Sequence, residues 1–399
     1  MKKILLLGGS RYLRPVIKAI HELGYYAITC DYLPDNYAHG ISDEYHNVSI
    51  IDKDAVLELA LKLNIDGIMS FACDPGVVTA AYVAEKMNLP TSPLESVEIL
   101  QNKGKFRKFL YDNGFNVPKA KSYISVEKAL EEIDNYTLPV IVKPVDSAGS
   151  KGVKKVDKVH DLRGAIEEAI KVSFSSEFII EEFIEKKGDS SDTEAFSVNG
   201  ELVFLSFNNQ IFDNTSSNCY TPAAFSWPSN MCLEVQKELK SELQRLIKLL
   251  HMDTSIYNIE TRVGLDEKAY IMEVSPRGGG NRLAEVLEYS TGIELIKNAV
   301  RAAVGEPINL ADNMTYDGFW CEIILHSNKN GFFDSIEIAD EIKKYIYQID
   351  LWVVKGDKVN SFASANFSIG TAIFKFDKKK LMEKFLKDIE KYLIVNISN

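Results

Sequence analysis

The 399-residue chain reads as an α/β protein of two or three domains: an N-terminal parallel sheet covered by helices, a strand-rich α+β centre, and an α+β C-terminal region. Three observations predict this. The first hundred residues alternate short apolar runs with helix-length amphipathic ones, the rhythm of a parallel sheet whose crossovers are helices. From Asn102 that rhythm breaks, and the apolar runs come closer together without a helix between each pair. Apolar residues make up 46% of the chain and charged residues 26%, a balance that supports packed cores rather than disorder or a membrane bundle.

Taken in order, residues 3–7, 26–30 and 67–70 read as strands and 15–23, 54–63 and 76–87 as helices, followed by a short strand-like segment at Pro90 and Thr91. Gly8, Gly9 and Ser10 follow the first strand and could cradle an anion at a helix start, but the third glycine of a dinucleotide fingerprint is missing. A basic amphipathic helix is expected at 104–113, closed by Gly114, after which Val117-Pro118 leads into a new strand and helix. Residues 138–143 form a buried strand ending on Lys143, and 178–184 an apolar strand interrupted by Glu181 and Glu182. Between 194 and 274 lie several strands and one long helix at 234–250; within this block, 208–229 is rich in Asn, Asp, Ser, Thr and Pro and is expected to be a mobile loop. Beyond residue 310 come strands and helices without an obvious reactive cluster, ending at 378–394 in a Lys-rich helix and a short strand. The expected domains are 1–101, 102–310 with a division near 180, and 311–399.

A net charge of −11 argues against a nucleic-acid surface as the main business of the chain. No apolar run approaches the length of a membrane span, so a cytoplasmic address is the default and no membrane partner is expected. The five cysteines are scattered, with no Cys-x-x-Cys pair, and read as small apolar fillers; the six histidines form no metal-ligand spacing.

Lys143, at the end of a buried strand, and Lys103, just before a helix, are costly unless an anion meets them, and triphosphate is such an anion. The run Ser147, Ala148, Gly149, Ser150, Lys151, Gly152 offers backbone N–H groups and glycines that permit close approach to phosphate oxygens; alone, it equally describes a solvated hairpin tip. Glu181, Glu182, Phe183 and Ile184 offer the acceptor, backbone donor and apolar walls that an adenine needs, the bland alternative being exposure of both glutamates. Glu260 and Glu273 each close the inward alternation of an apolar run. Neighbouring antiparallel strands would set these carboxylates side by side, a site for a hard cation. Arg277 then precedes Gly278, Gly279 and Gly280: a fixed positive charge beside a backbone that a bulky anion can approach, or else one half of a salt bridge to a nearby Glu.

In this order the sequence resembles the ATP-grasp superfamily of carboxylate-amine and related ligases, over roughly residues 1–310. Asn102-Lys103, Lys105-Phe106-Arg107 and Gly114 to Pro118 are similar to its Asp-Lys, helix, Gly-Ile-Pro-x-Pro passage. Val142-Lys143-Pro144 and the following loop resemble its second phosphate lysine and lid. Ile180 to Ile184 resemble its adenine hinge, and Asn258-Ile259-Glu260 with Met272 to Arg277 its metal strands and catalytic arginine.

The resemblance implies a central ATP-grasp domain whose two subdomains clamp ATP, with magnesium, or manganese in its place, as the metal. It implies phosphate contacts from Lys103, Lys143, Ser147, Gly149, Ser150 and Gly152, and adenine contacts from Glu181, Glu182, Phe183 and Ile184. Ribose falls to Glu194, in competition with Asp189 and Asp192. Glu260, Glu273 and Ser275 would hold the metal; Arg277 and Lys143 would be catalytic; and Gly278, Gly279 and Arg282 would receive the substrate carboxylate. The implied reaction phosphorylates a small-molecule carboxylate with ATP and lets an amine attack the acyl phosphate, giving an amide, ADP and phosphate. The family resemblance also favours a homodimer. One departure is Glu273-Val274-Ser275 where the family has Glu-x-Asn, which puts a hydroxyl in place of an amide ligand. Three alternatives stand beside this reading: bicarbonate phosphorylation as in biotin carboxylases or carbamoyl phosphate synthetases, nucleotide binding without turnover, and a nicotinamide oxidoreductase built on Gly8-Gly9-Ser10. The last leaves both lysines and both glutamates unexplained.

Overall fold

The computed structural model describes residues 1–311 and 314–398. Its first elements are β1 (Lys3–Leu7), α1 (Arg14–Glu22), β2 (Tyr26–Cys30), β3 (Glu44–His46), α2 (Lys53–Leu63), β4 (Gly67–Ser70) and α3 (Val77–Met87). The strands form a parallel sheet in the order β3-β2-β1-β4. Helices cover both faces, which is why residues 4–7 are apolar without alternation: Leu5 and Leu7 pack with Val56, Leu59 and Val83, while Ile4 and Leu6 join the cluster containing Val16 and Ile20. Pro90 and Thr91 are not a strand but lie in the loop before the next helix. A Cβ at Gly9 would run into Asn36 and His39, so glycine there serves close packing.

A second unit contains α4 (Leu94–Gln101), α5 (Lys103–Asp112), β5 (Ala120–Tyr123), α6 (Val126–Glu131), β6 (Val140–Pro144), β7 (Lys154–Val156), α7 (Leu162–Val172) and β8 (Phe178–Glu182). Asn102 caps α5 by accepting from the Lys105 N–H at 2.9 Å, and Gly114, at φ 71°, turns the chain away beyond its end. The four strands form an antiparallel sheet in the order β5-β8-β6-β7.

Next come β9 (Ser191–Val198), β10 (Glu201–Leu205), β11 (Asn209–Phe212), β12 (Pro222–Trp227), α8 (Leu233–Leu249), β13 (Ser255–Val263), β14 (Ala269–Ser275), α9 (Leu283–Thr291) and α10 (Leu295–Ala303). Strands β10-β9-β13-β14 make an antiparallel sheet. Ala195, Tyr257, Ile259 and Val274 cover one face and pack on Phe106 and Leu110 of α5 and on Leu239, Leu243 and Leu246 of α8. The period of two therefore turns Asp192, Glu194, Asn258, Glu260 and Glu273 to the other face.

The chain ends with β15 (Phe319–Leu325), β16 (Gly331–Ile338), α11 (Asp340–Lys343), β17 (Ile346–Leu351), β18 (Lys358–Val359), β19 (Gly370–Phe376), α12 (Lys379–Lys387), α13 (Ile389–Tyr392) and β20 (Leu393–Ser398). Here the fold departs from expectation. The segment read as a mobile loop at 208–229 contains a hairpin, β11 and β12, built into a five-stranded sheet ordered β11-β12-β15-β19-β17, which crosses the boundary expected at residue 310. Phe225 and Trp227 are fully buried; only the tip at 213–221 fits the loop reading. Cys219 and Cys232 are exposed rather than packed as fillers. No helix among the described residues is long and apolar enough to cross a membrane.

If the hairpin is core, Phe225→Ala removes about 3–5 kcal/mol of unfolding free energy in a denaturant titration. A loss below about 0.5 kcal/mol would return the segment to the mobile loops.

Candidate active site

On the open face of the β9-β13-β14 sheet, the register sets Glu260 opposite Glu273 on one side and opposite Asp192 on the other, so three carboxylates form one row across three strands. Burial, together with the charges of Glu260 and Glu273, pushes Asp192 up to about 7. Its Oδ1 accepts from Asn258 Nδ2 at 2.8 Å and its Oδ2 from Gln210 Nε2 at 3.4 Å.

Facing this row is a group of cations. Lys143, on β6, lies 2.8 Å from Glu181 Oε2, and Arg107 Nε of α5 lies 2.9 Å from Glu181 Oε1, a charge contact rather than a directed hydrogen bond. Burial opposes ionisation of Glu181, but Arg107 and Lys143 hold it at about 2; burial likewise lowers Lys143. This leaves a net positive buried triad. Lys103, the first residue of α5, donates to the Ser147 carbonyl at 3.0 Å and approaches Glu273 Oε2 at 3.8 Å, so it joins the lysine side of the site to the acid row.

Arg277 is 8% exposed and makes a two-pronged ion pair with Asp74, from Nε to Oδ1 at 2.9 Å and from Nη2 to Oδ2 at 2.8 Å. Burial works against the charge on Asp74, and Arg277 overcomes it. Gly278 passes so close to Phe71 that a Cβ would collide with its ring, and the Ala72 N–H bonds to the Gly278 carbonyl at 2.9 Å. Arg282, at φ 58°, is held by Glu285 at 2.9 and 3.0 Å and donates to Gln348 Oε1 of β17 at 2.8 Å. At the mouth, Ser150 Oγ donates to the Tyr220 carbonyl at 3.0 Å, and Asn218 Nδ2 to the carbonyls of Ser150 and Ala363. Thus the glycine loop after β6 and the hairpin tip close against each other.

Comparison with known proteins decides the framework. The sequence profile of the ATP-grasp domain matches residues 100–281, the segment that carries both lysines, the acid row and Arg277. Residues 100–281 are an ATP-grasp domain. The carbamoyl phosphate synthase large chain of Thermotoga petrophila is 26% identical over 292 residues, covering 72% of this chain but 26% of that one, so the chain spans about a quarter of this relative's length. Among solved structures, an L-amino acid ligase from Bacillus licheniformis superposes with a TM-score of 0.83 at 20% identity, over 100% of this chain and 99% of that one. A phosphoribosylglycinamide synthetase from Anaerococcus prevotii does so with 0.76 at 22%, over the whole of both chains. At these identities the two structures establish the shared fold.

Within the ATP-grasp domain several expected roles meet a different geometry. Glu194 does not lie with the hinge residues: it is fully buried, Oε1 accepts from the Gly279 N–H at 2.7 Å, and Oε2 has no partner among the described residues. It supports the glycine loop beside Arg277 rather than offering itself to a ribose. Ser275 is committed elsewhere too, accepting from Gln101 Nε2 at 2.7 Å and donating to Asp74 Oδ1 at 2.9 Å, which removes its hydroxyl from the acid row. Glu181 is an internal counter-ion, neither exposed nor open to adenine through its side chain. Glu182 Oε1 accepts from the Thr137 N–H, and the Phe183 N–H is spent on the Pro139 carbonyl. The Ile184 N–H is the hinge donor that makes no hydrogen bond among the described residues. Arg277 pairs with Asp74, not with a glutamate of the metal strands. Residues that sequence reasoning passed over as site components are Arg107, visible only as part of a basic helix, and Gln348.

Glu194 generates a pH prediction. Burial holds its carboxyl up to about 8, so the folded protein keeps a proton that the unfolded chain releases at a lower pH. Its contribution to stability is therefore present in acid and lost as pH rises through about 8. Glu194→Gln keeps the acceptor for Gly279 and removes the titration, so its melting temperature should fall less than that of the wild type between about pH 5 and about pH 8. Parallel curves would exclude Glu194 as the source.

Proposed function

We propose that the chain is an ATP- and magnesium-dependent, ADP-forming ligase that activates a small-molecule carboxylate as an acyl phosphate and joins it to an amine. The observation that carries this reading is the opposition of two charge sets across one cleft: the Lys103, Lys143 and Arg107 cations and the Asp192, Glu260 and Glu273 row, bridged by the 3.8 Å approach of Lys103 to Glu273. Triphosphate needs the first, and the divalent cation it carries needs the second.

The donor set fits magnesium. All three side chains offer hard oxygens, and Asp192, raised by burial and then by the charge of Glu260, pairs with no cation of its own among the described residues. Among the described residues no three His, Cys, Asp or Glu side chains converge tightly enough to hold an ion alone, so phosphate oxygens and water would have to complete a magnesium shell here. Bound there, the metal would neutralise phosphate charge. Lys143 and Lys103 would draw the phosphates to the cleft, the Ser147–Gly152 loop would cover them, and the free Ile184 N–H would meet the base. Arg277, immobilised by Asp74, would present its remaining N–H surface to charge developing on the transferring phosphoryl group. Glu194 would hold the Gly279 N–H, and so the loop that receives the substrate carboxylate. Closure of the glycine loop on the hairpin tip would exclude water from an intermediate that hydrolyses readily.

Bicarbonate as the phosphorylated acid is the second reading, favoured by the 26% identity to a carbamoyl phosphate synthase. ADP release is measured with bicarbonate and a carboxylate panel, each with and without amines and magnesium. The ligase predicts release that needs magnesium, an acid and an amine; bicarbonate as the sole active acid selects the second reading, and no release with any combination removes both. Arg277→Ala should lower kcat on the order of 10²–10³-fold with ATP affinity retained. Asp74→Asn should lower kcat in the same direction by freeing Arg277, and normal turnover in both would remove Arg277 from the mechanism.

A further inference from the structure

The tip of the β11-β12 hairpin, residues 213–221, is bonded to two different parts of the molecule, and the two attachments are unequal. Toward the C-terminal region, Asn328 Nδ2 donates to Asp213 Oδ2 at 2.7 Å and to Thr215 Oγ1 at 2.8 Å, and Ser217 Oγ donates to the Phe362 carbonyl at 3.0 Å. His326 Nε2 lies 3.2 Å from the same Asp213 oxygen, with its ring stacked on Phe362 at 4.0 Å. Burial opposes ionisation of Asp213, but Thr215 and Asn328 hold it at about 2, so these bonds end on a charged acceptor and are of the stronger kind. Toward the glycine loop after β6 run two bonds between neutral groups, from Ser150 Oγ to the Tyr220 carbonyl and from Asn218 Nδ2 to the Ser150 carbonyl. The tip is therefore a fixed jaw carried by the C-terminal region, and the glycine loop is the part able to leave it.

Asn218 is the residue that both attachments share. Its Nδ2 donates to the Ser150 carbonyl at 3.3 Å and to the Ala363 carbonyl at 3.1 Å, while its Oδ1 accepts from the Tyr220 N–H at 3.1 Å. Both amide N–H groups thus meet acceptors on different segments. An aspartate of the same shape would keep the Tyr220 bond and turn a carboxylate oxygen onto two carbonyl oxygens. On the other side of the closure, Gly149, Ser150 and Gly152 stand at φ 67°, 58° and 68°. For Ser150, which has a Cβ, that conformation is costly and persists only where neighbours hold it. Here both its hydroxyl and its carbonyl are held by the tip. Once released, the loop gains by relaxing away.

We infer that Asn218 is a positioning residue, the latch that holds the glycine loop shut against the jaw supplied by the C-terminal region, and that it thereby keeps water from the acyl phosphate of the ligase proposed above. The inference rests on that reading for its consequence, while the closure itself is tested without turnover. Hydrolysis of an acyl phosphate takes up one water, breaks the acyl–phosphate link and returns carboxylate and phosphate, so ATP is consumed and no amide forms. Lys151 is exposed within the loop and is a site for trypsin. Limited digestion of the full chain without nucleotide, with fragments identified by mass, reads the open population of the loop. Asn218→Asp should speed cleavage after Lys151 at least about tenfold, and Asn218→Ala by a smaller factor. Cleavage after Lys268, exposed on the turn between β13 and β14, should stay at the wild-type rate in both. ADP release with an acid but no amine should rise in the same order, wild type, Asn218→Ala, Asn218→Asp.

Equal cleavage after Lys151 in the wild type and both variants overturns the inference. So does a rise after Lys268 as large as that after Lys151, the mark of a general loss of stability, or amine-independent ADP release that stays at the wild-type level while the loop opens. If Asn218→Asp fails to fold, Asn218→Ala carries the comparison. Amide formation with equal cleavage in all three proteins keeps the ligase and removes the latch. No ADP release from the wild type under any combination removes the ligase, and the cleavage rates then decide the latch alone.

Discussion

Arg277 is buried, and a buried guanidinium is tolerated only where a carboxylate meets it. Asp74 meets it from 203 residues earlier in the chain, on the turn after β4 of the parallel sheet. This pair fixes how the N-terminal sheet sits against the metal-type strands, and the rest of the cleft follows from it. The Ala72 N–H bonds to Gly278, Ser275 Oγ donates to the same Asp74 carboxylate, and Gln101 at the end of α4 donates to Ser275. Breaking the pair would leave the buried Arg277 charge and the half-buried Asp74 carboxylate without their counter-ions, one on each side of the junction.

Charge is sorted across the cleft by the same logic. Glu181 stands between Arg107 and Lys143 with its carboxyl held low, so the hinge strand neutralises one of two cations and leaves the other for a ligand. Opposite, the row of three carboxylates meets only the looser approaches of Lys103 to Glu273 at 3.8 Å and of Arg262 to Glu260 at 3.5 Å, and burial moves Asp192 upward. The cleft is an unfinished electrostatic circuit, positive on the β6-β8 side and negative on the β9-β13-β14 side. A magnesium-bound triphosphate has the charge distribution that completes it.

How legible this was depended on whether a residue's partner lies close in sequence. Glu260 and Glu273 sit on strands joined by a short turn, so a period of two was enough to pair them. The lysines were legible because a charge closing a buried strand or opening a helix has few structural uses. Gln348 was not, as a site component: it is a lone polar residue whose partner, Arg282, is brought near only by tertiary structure. The hairpin of β11 and β12 was misread as mobile because the polar residues of its tip and inner face, Gln210 among them, mask the alternation of Phe225 and Trp227. Ser275 and Glu194 were misplaced for a related reason, since parity assigns a face but not the group that a side chain will choose on it. The C-terminal region, which had no reactive cluster in sequence, reaches the site through Gln348, which accepts from Arg282.

The central claim, that this cleft converts a carboxylate into an acyl phosphate, is tested most directly by oxygen transfer. With the carboxylate substrate labelled with oxygen-18, the account predicts that one labelled oxygen per turnover appears in inorganic phosphate. Phosphate free of label, with amide product formed, would contradict it.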